Sequence, residues 1–124
     1  MNVRPATADD LAWVKALADR HRADLGFITR AAFVHAMVDE ELTVLDTAGG
    51  FCLWHRRRDG WTTIYDLVSE VNGGGRAMME VIARPLRLKC PTGQAANGFY
   101  AHLGGTLVRT EPGRKRSLNV WEWS

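Results

Sequence analysis

Apolar positions in the first third of the chain recur every three or four residues, and from Glu41 onward they alternate or run together, so helices precede strands. Val3 opens a short extended segment that Pro5 closes. Thr7-Ala8-Asp9-Asp10 then carries the N-cap and the third-position acid of a capping box, and Leu11, Val14, Leu17 and Ala18 share one helical face. Gly26 is the predicted stop. Thr29 caps a second predicted helix with Ala32, Phe33, Ala36 and Met37 as its apolar face. Leu42–Leu45 and Phe51–His55 read as strands around a Thr47-Ala48-Gly49-Gly50 turn. Asp59-Gly60, a pair that favours two positive φ angles, turns the chain into a third strand over Trp61–Val68.

Gly73-Gly74-Gly75 interrupts this pattern, and Arg76–Ala83 is helical in composition and ended by Pro85. Leu86–Cys90 is the next strand, reached through that helix, which makes a βαβ crossover with parallel strands. Gln94–Leu103 is a further helix stopped by Gly104-Gly105. Thr106–Thr110, a Glu111-Pro112-Gly113 turn and Leu118–Trp123 close the chain. The predicted order is βααβββαβαββ, without repeats or linkers. That is one α+β domain over residues 1–124, with a mixed, mostly antiparallel sheet and one parallel crossover.

Hydrophobic residues make up 46% and charged residues 24%, the profile of a folded domain. No apolar run approaches the ~20 residues of a membrane helix, and Met1-Asn2-Val3-Arg4-Pro5 has no signal-peptide core, so a soluble cytoplasmic protein is expected. Cys52 and Cys90 form no CxxC and join no histidine cluster, and they are expected to be buried free thiols. His21, His35, His55 and His102 do not fit a metal-ligand spacing, so no metal is expected. The net charge of +2 is unevenly divided. Residues 1–50 carry five Lys/Arg against eight Asp/Glu, and residues 51–124 carry eleven against six, which makes the C-terminal part the better place for phosphates.

Two segments could carry chemistry. Gly73-Gly74-Gly75-Arg76 opens a helix after a strand, where exposed amides, the helix dipole and a fixed cation favour an anion; a merely flexible turn is the other reading. It matches neither GxxxxGK[ST] nor GxGxxG. Tyr100, within Ala95–Gly104, follows the second parallel strand and could protonate a leaving group, or it is an amphipathic core residue.

With these residues in view, the chain resembles the GNAT superfamily of N-acetyltransferases over nearly its whole length. Val3–Asp10 looks like the opening strand and first-helix cap. Gly73–Met79 looks like the second half of the R/Q-x-x-G-x-G/A pyrophosphate loop and its helix, and Ala96–Gly104 looks like the A-x-x-x-Y-x-x-x-G segment. The resemblance implies acetyl-CoA as donor, with its pyrophosphate on amides around Gly73, Gly74, Gly75, Arg76 and Ala77. It implies pantetheine pairing with the backbone of Leu67, Val68 and Ser69, where strands 61–68 and 86–90 diverge, and the Val68 N–H as an oxyanion donor. Tyr100 matches the residue that protonates the departing thiolate. The acceptor pocket of the family maps to Leu25-Gly26-Phe27-Ile28 and Trp121. Self-association as a homodimer is a separate expectation. Two departures stand out. Glu70 replaces the usual Arg or Gln in a loop about three residues short by the resemblance, and no aromatic follows the tyrosine helix, since Gly105 follows Gly104.

Asp66 lies on the strand that supplies general bases in this family, and Glu70 is a second candidate; alternation also allows Asp66 to be an outward residue of a half-solvated strand. Arg56-Arg57-Arg58 and Arg114-Lys115-Arg116 sit at turns, as solvated charge or as a pair of projections holding nucleic-acid phosphate. Trp61, Trp121 and Trp123 read as packing residues or as stacking platforms for bases. The expected function is transfer of an acetyl group from acetyl-CoA to a primary amine of a small molecule or peptide. The alternatives are a nucleic-acid base modifier on the same fold and a degenerate acyl-CoA-binding module.

Overall fold

A computed structural model describes residues 1–124. Strand β1 (Val3–Pro5) leads through a 3-10 turn (Ala8–Asp10) into α1 (Leu11–Arg20), α2 (Arg22–Leu25) and α3 (Arg30–Val38). There follow β2 (Leu42–Leu45), β3 (Gly50–Arg56), β4 (Thr62–Ser69), α4 (Gly74–Val81), β5 (Leu86–Pro91), α5 (Ala96–His102), β6 (Thr106–Pro112) and β7 (Ser117–Trp123). The seven strands are ordered β1-β2-β3-β4-β5-β7-β6, and β4 with β5 is the parallel pair of a mostly antiparallel sheet. Two compact units are distinguished, Met1–His55 with Tyr65–Ile82, and Arg56–Ile64 with Ala83–Ser124.

In the first unit the predicted faces close on one another. Val14, Leu17, Phe33, Leu42, Val44 and Phe51 are fully buried, and the Phe33 and Phe51 rings meet edge to face at 5.4 Å. The capping box forms around Asp10, whose buried carboxylate accepts from the Thr7 N–H at 2.8 Å and from the Trp13 indole at 2.9 Å. Arg4 pairs with it at 2.6 Å and holds its carboxyl well below the usual range, burial being the opposing influence.

Where the structure departs from the sequence expectation, the cause is local. One helix was expected up to Gly26, but the chain breaks at His21 into α1 and α2. Ala32 is exposed, because α3 buries Phe33 and Ala36 and packs Val34 and Met37 against the core instead. Gly74 and Gly75 belong to α4 rather than to the loop, and only Gly73, at φ 80°, is left-handed. Asp59 does not take a positive φ; Gly60 does, at 91°, while the Asp59 carboxylate accepts the Trp61 N–H at 2.9 Å.

In the second unit β5 pairs with β7 along its whole length, from Leu86↔Trp123 to Pro91↔Leu118. Leu86, Leu88, Cys90, Val120, Trp121 and Trp123 are buried, and both cysteines of the chain are buried free thiols. β6 is the edge strand, exposed over most of its residues, with an irregularity between Leu107 and Arg109.

Candidate functional site

The start of α4 presents open backbone donors. The Gly74 N–H is used by the Val71 carbonyl at 3.0 Å and the Ala77 N–H by the Gly73 carbonyl at 3.1 Å. The Gly75 and Arg76 amides have no acceptor, and Gly73 at the cap has no side chain to give them one. A Cβ on Gly73 would meet nothing within 4 Å, so the cap residue is open to solvent; Arg76 is exposed as well, whereas Gly75 is buried. Gly74 is glycine for another reason, because a Cβ there would lie 2.2 Å from Ser69 Oγ and 2.7 Å from Leu45 Cδ1. The Ser69 hydroxyl in turn accepts the Val71 N–H at 3.1 Å and donates to the Val71 carbonyl at 2.7 Å, which shapes the short turn. Of the expected anion-binding amides, Gly75 and Arg76 are thus available and Gly74 and Ala77 are committed.

β4 supplies the next group. Its parallel ladder with β5 runs from Thr62↔Leu86 to Ile64↔Leu88, and Leu67, Val68 and Ser69 lie beyond the last of these pairs. Asp66 alternates with buried Ile64 and Val68 and is itself half-buried, so it is not an outward residue. Burial pushes its carboxyl up to about 6. The fully buried Cys52 thiol is raised by its own burial and further by the Asp66 charge.

Glu70 is engaged on both oxygens. Oε1 accepts from Arg20 Nη2 at 3.1 Å and Oε2 lies 2.9 Å from His21 Nε2, while its N–H donates to the Gly49 carbonyl at 2.7 Å. The His21 hydrogen bond, followed by that of Arg20, lowers its pKa. Neither partner was singled out by the sequence, since each stands about fifty positions away in a different helix region.

Around the expected acceptor loop, Leu25 and Ile28 pack against the core of the first unit, whereas Phe27 is 60% exposed beneath Lys15 and Arg22, 4.5 and 4.9 Å from its ring.

In the second unit Tyr100 is buried, its ring 6.4 Å from that of Trp121 and 6.0 Å from that of Trp123. Asn97, one turn earlier on α5, was passed over by the sequence reading. Its Nδ2 donates to the Pro91 and Gln94 carbonyls at 2.9 Å each, and its Oδ1 accepts from Trp121 Nε1 at 2.9 Å and Asn119 Nδ2 at 3.1 Å. Gly105 is required by Trp123, whose ring a Cβ there would approach to 2.7 Å. Trp121 and Trp123 are therefore packing residues, and Trp61 is stacked beneath Arg87 at 4.5 Å.

Charge divides by unit more sharply than by sequence half. The first unit carries six Lys/Arg against eleven Asp/Glu and the second ten against three. All three acids of the second unit are paired: Asp59 with Arg57, Glu111 with Lys89 and Arg109, and Glu122 with Arg87. The two basic runs lie toward opposite ends of β5. Arg56-Arg57-Arg58 precedes Thr62, which pairs at the Leu86 end of β5, whereas Arg114-Lys115-Arg116 leads into Ser117, whose carbonyl accepts the Thr92 N–H at 3.1 Å beyond the Pro91 end. No group of three or more His, Cys, Asp or Glu is arranged to hold a metal, and no helix is long and apolar enough to cross a membrane.

No protein-family model matches the chain, and no curated protein sequence matches it. Solved structures do. Ard1 from Thermoplasma volcanium superposes with a TM-score of 0.82 at 17% identity, covering 98% of this chain and 95% of that one. The ribosomal-protein-S18-alanine N-acetyltransferase from Escherichia coli gives 0.73 at 15% identity, with 98% and 91% covered. Rv2747 from Mycobacterium tuberculosis, solved in complex with CoA, gives 0.71 at 17% identity, with 91% and 76% covered. The chain has the GNAT acetyltransferase fold.

Proposed function

We propose that this chain is a cytoplasmic N-acetyltransferase that moves an acetyl group from acetyl-CoA to a primary amine of a small molecule or peptide, residues 1–124 working as one catalytic domain. The observation that carries the reading is the start of α4, where the amides of Gly75 and Arg76 lack acceptors behind a bare glycine cap, on a GNAT fold. A helix N-terminus with free donors suits a pyrophosphate, and the Arg76 side chain adds charge.

Acetyl-CoA, when bound, supplies an acyl group already activated as a thioester. In the proposed arrangement the amides of Gly73, Gly75 and Arg76 hold the pyrophosphate, and Gly74 and Ala77 fix the turn that presents them. The backbone of Leu67, Val68 and Ser69 aligns the pantetheine arm, and the Val68 N–H faces the oxygen on which negative charge develops. Asp66 accepts a proton from the amine nitrogen, and Tyr100 gives one to the thiolate. Glu70 belongs to the acceptor side, where its carboxylate is held by the Arg20 guanidinium and by a hydrogen bond with His21. The similarity to the ribosomal-protein-S18-alanine N-acetyltransferase makes a peptide that presents an alanine amine at its N-terminus the first acceptor to try.

Calorimetry with acetyl-CoA tests the reading. Saturable binding is expected, with Gly75→Asp abolishing it by placing a negative side chain beside the free amides. Absence of binding at millimolar acetyl-CoA would leave the degenerate module instead. The base-modifier reading is favoured by one observation, the excess of cations in the second unit, and salt dependence decides it, as argued below.

A further inference from the structure

We propose that His21, held by Glu70, takes the proton that the acceptor amine must lose before it can attack. The inference rests on the acetyltransferase reading above and adds a residue to it.

The backbone of His21 is fixed at the junction of two helices. Its N–H donates to the Ala18 carbonyl at 3.1 Å, and its own carbonyl accepts from the amides of Asp24 and Leu25 at 3.0 Å each. The ring is fixed by the 2.9 Å contact between Nε2 and Glu70 Oε2, and Glu70 is anchored through its N–H to Gly49 and through Oε1 to Arg20. The charged group in contact with this pair is Arg20. An ionised carboxylate can only accept a hydrogen bond, so Nε2 carries the hydrogen in the neutral ring. In that tautomer Nδ1 is the acceptor, and no protein group is hydrogen-bonded to it on a side chain that is 31% exposed. An imidazole oriented in this way by a carboxylate is the arrangement of a general base with its positioning residue. Its place in the chain fits the task, because Glu70 directly follows Leu67-Val68-Ser69, the segment proposed to align the thioester.

The proton count calls for a second acceptor besides Asp66. A primary amine arrives as an ammonium and ends as an amide bearing one hydrogen, so its nitrogen gives up two protons. The first leaves before attack: the N–H bond breaks, its electron pair stays on nitrogen as the nucleophilic lone pair, and the proton binds Nδ1 of His21, which releases it to water. The second leaves once the C–N bond has formed, and the half-buried Asp66 receives it. Tyr100 supplies one proton to the thiolate and is restored from solvent, so one proton is released overall. Glu70 stays ionised throughout and acts as a positioning residue.

The test has two arms on the full chain. Imidazole nitrogen NMR on the free protein should show His21 as the Nε2–H tautomer, shifting to a mixture in Glu70→Ala. With a peptide bearing an N-terminal alanine, His21→Gln should lower kcat/KM at least about tenfold near neutral pH, with the deficit shrinking as pH rises past the amine pKa of about 8. Acetyl-CoA affinity should be unchanged. A Nδ1–H tautomer, or a His21→Gln enzyme with wild-type kcat/KM at every pH while acetyl-CoA still binds, would overturn this inference alone. If the wild-type chain binds no acetyl-CoA, the acetyltransferase reading fails first and takes this inference with it.

Discussion

The side-chain oxygen of Asn97 accepts the Trp121 indole N–H at 2.9 Å, and the amide nitrogen of the same residue ties α5 to the end of β5 through the Pro91 and Gln94 carbonyls. One side chain thus sets how the helix carrying Tyr100 sits on β5 and β7. Asn97→Ala should leave the Trp121 N–H and the Asn119 amide without this acceptor, at a cost of ~2–4 kcal/mol for partly buried groups. Urea unfolding measures that loss, and an unchanged midpoint would show that water replaces the asparagine.

Tyr100 packs its ring among Trp121 and Trp123, which leaves the hydroxyl as the only part that phenylalanine would remove. Tyr100→Phe should therefore shift stability by no more than ~1 kcal/mol while lowering turnover roughly 10- to 100-fold, with acetyl-CoA affinity nearly unchanged. Steady-state kinetics with an accepted amine separates the two roles. Full turnover in the variant would reduce Tyr100 to a packing residue.

Much of the fold was legible because its signals are local. The face of α1, the strands on either side of each turn and the crossover through α4 all follow from spacing and punctuation. Side-chain pairings across the fold were not legible. Nothing near His21 in sequence announces Glu70, and nothing near Asn97 announces Trp121, because each pair is created only when distant elements pack. The run of three glycines gave the position of the turn but not the division of labour within it. Gly73 is there for its backbone angle and Gly74 for its closeness to Ser69, while Gly75 offers its amide. The break at His21 was hidden because the residues on both sides of it are ordinary helix formers.

The two basic turns stand at opposite ends of β5, a strand whose six residues span roughly 20 Å at about 3.3 Å per residue. A polynucleotide touching both would make six phosphate contacts and a log K against log salt slope on the order of −4 to −5. Contact with one turn alone would halve it. With a small amine or peptide as acceptor, Arg114→Ser, Lys115→Ser and Arg116→Ser together should leave kcat/KM within about twofold, as expected for surface changes away from the chemistry. Titration of single-stranded DNA at several salt concentrations is the direct check. Micromolar affinity with the steep slope, lost in the triple variant, would make the base-modifier reading the better one.

Asp66 carries the clearest pH signature. Burial raises its pKa to about 6, so the folded chain keeps a proton there that an unfolded aspartate gives up near pH 4. Between about pH 4 and 6 the folded state binds more protons than the unfolded one, so stability falls as pH rises through that window and is level above it. The span corresponds to ~3 kcal/mol at most. Asp66→Asn keeps the shape and cannot ionise, so it should match the parent near pH 4 and exceed its stability by ~1–3 kcal/mol at pH 8. Acetyl transfer should fall in the same variant, because the proton acceptor is gone, which is the usual opposition between stability and activity at a working site. Urea unfolding at pH 4, 6 and 8, with kinetics on the same samples, reads both effects. A variant no more stable than the parent at pH 8 would show that the carboxylate is already well solvated. It would also remove the argument that burial tunes this group to accept a proton near neutral pH.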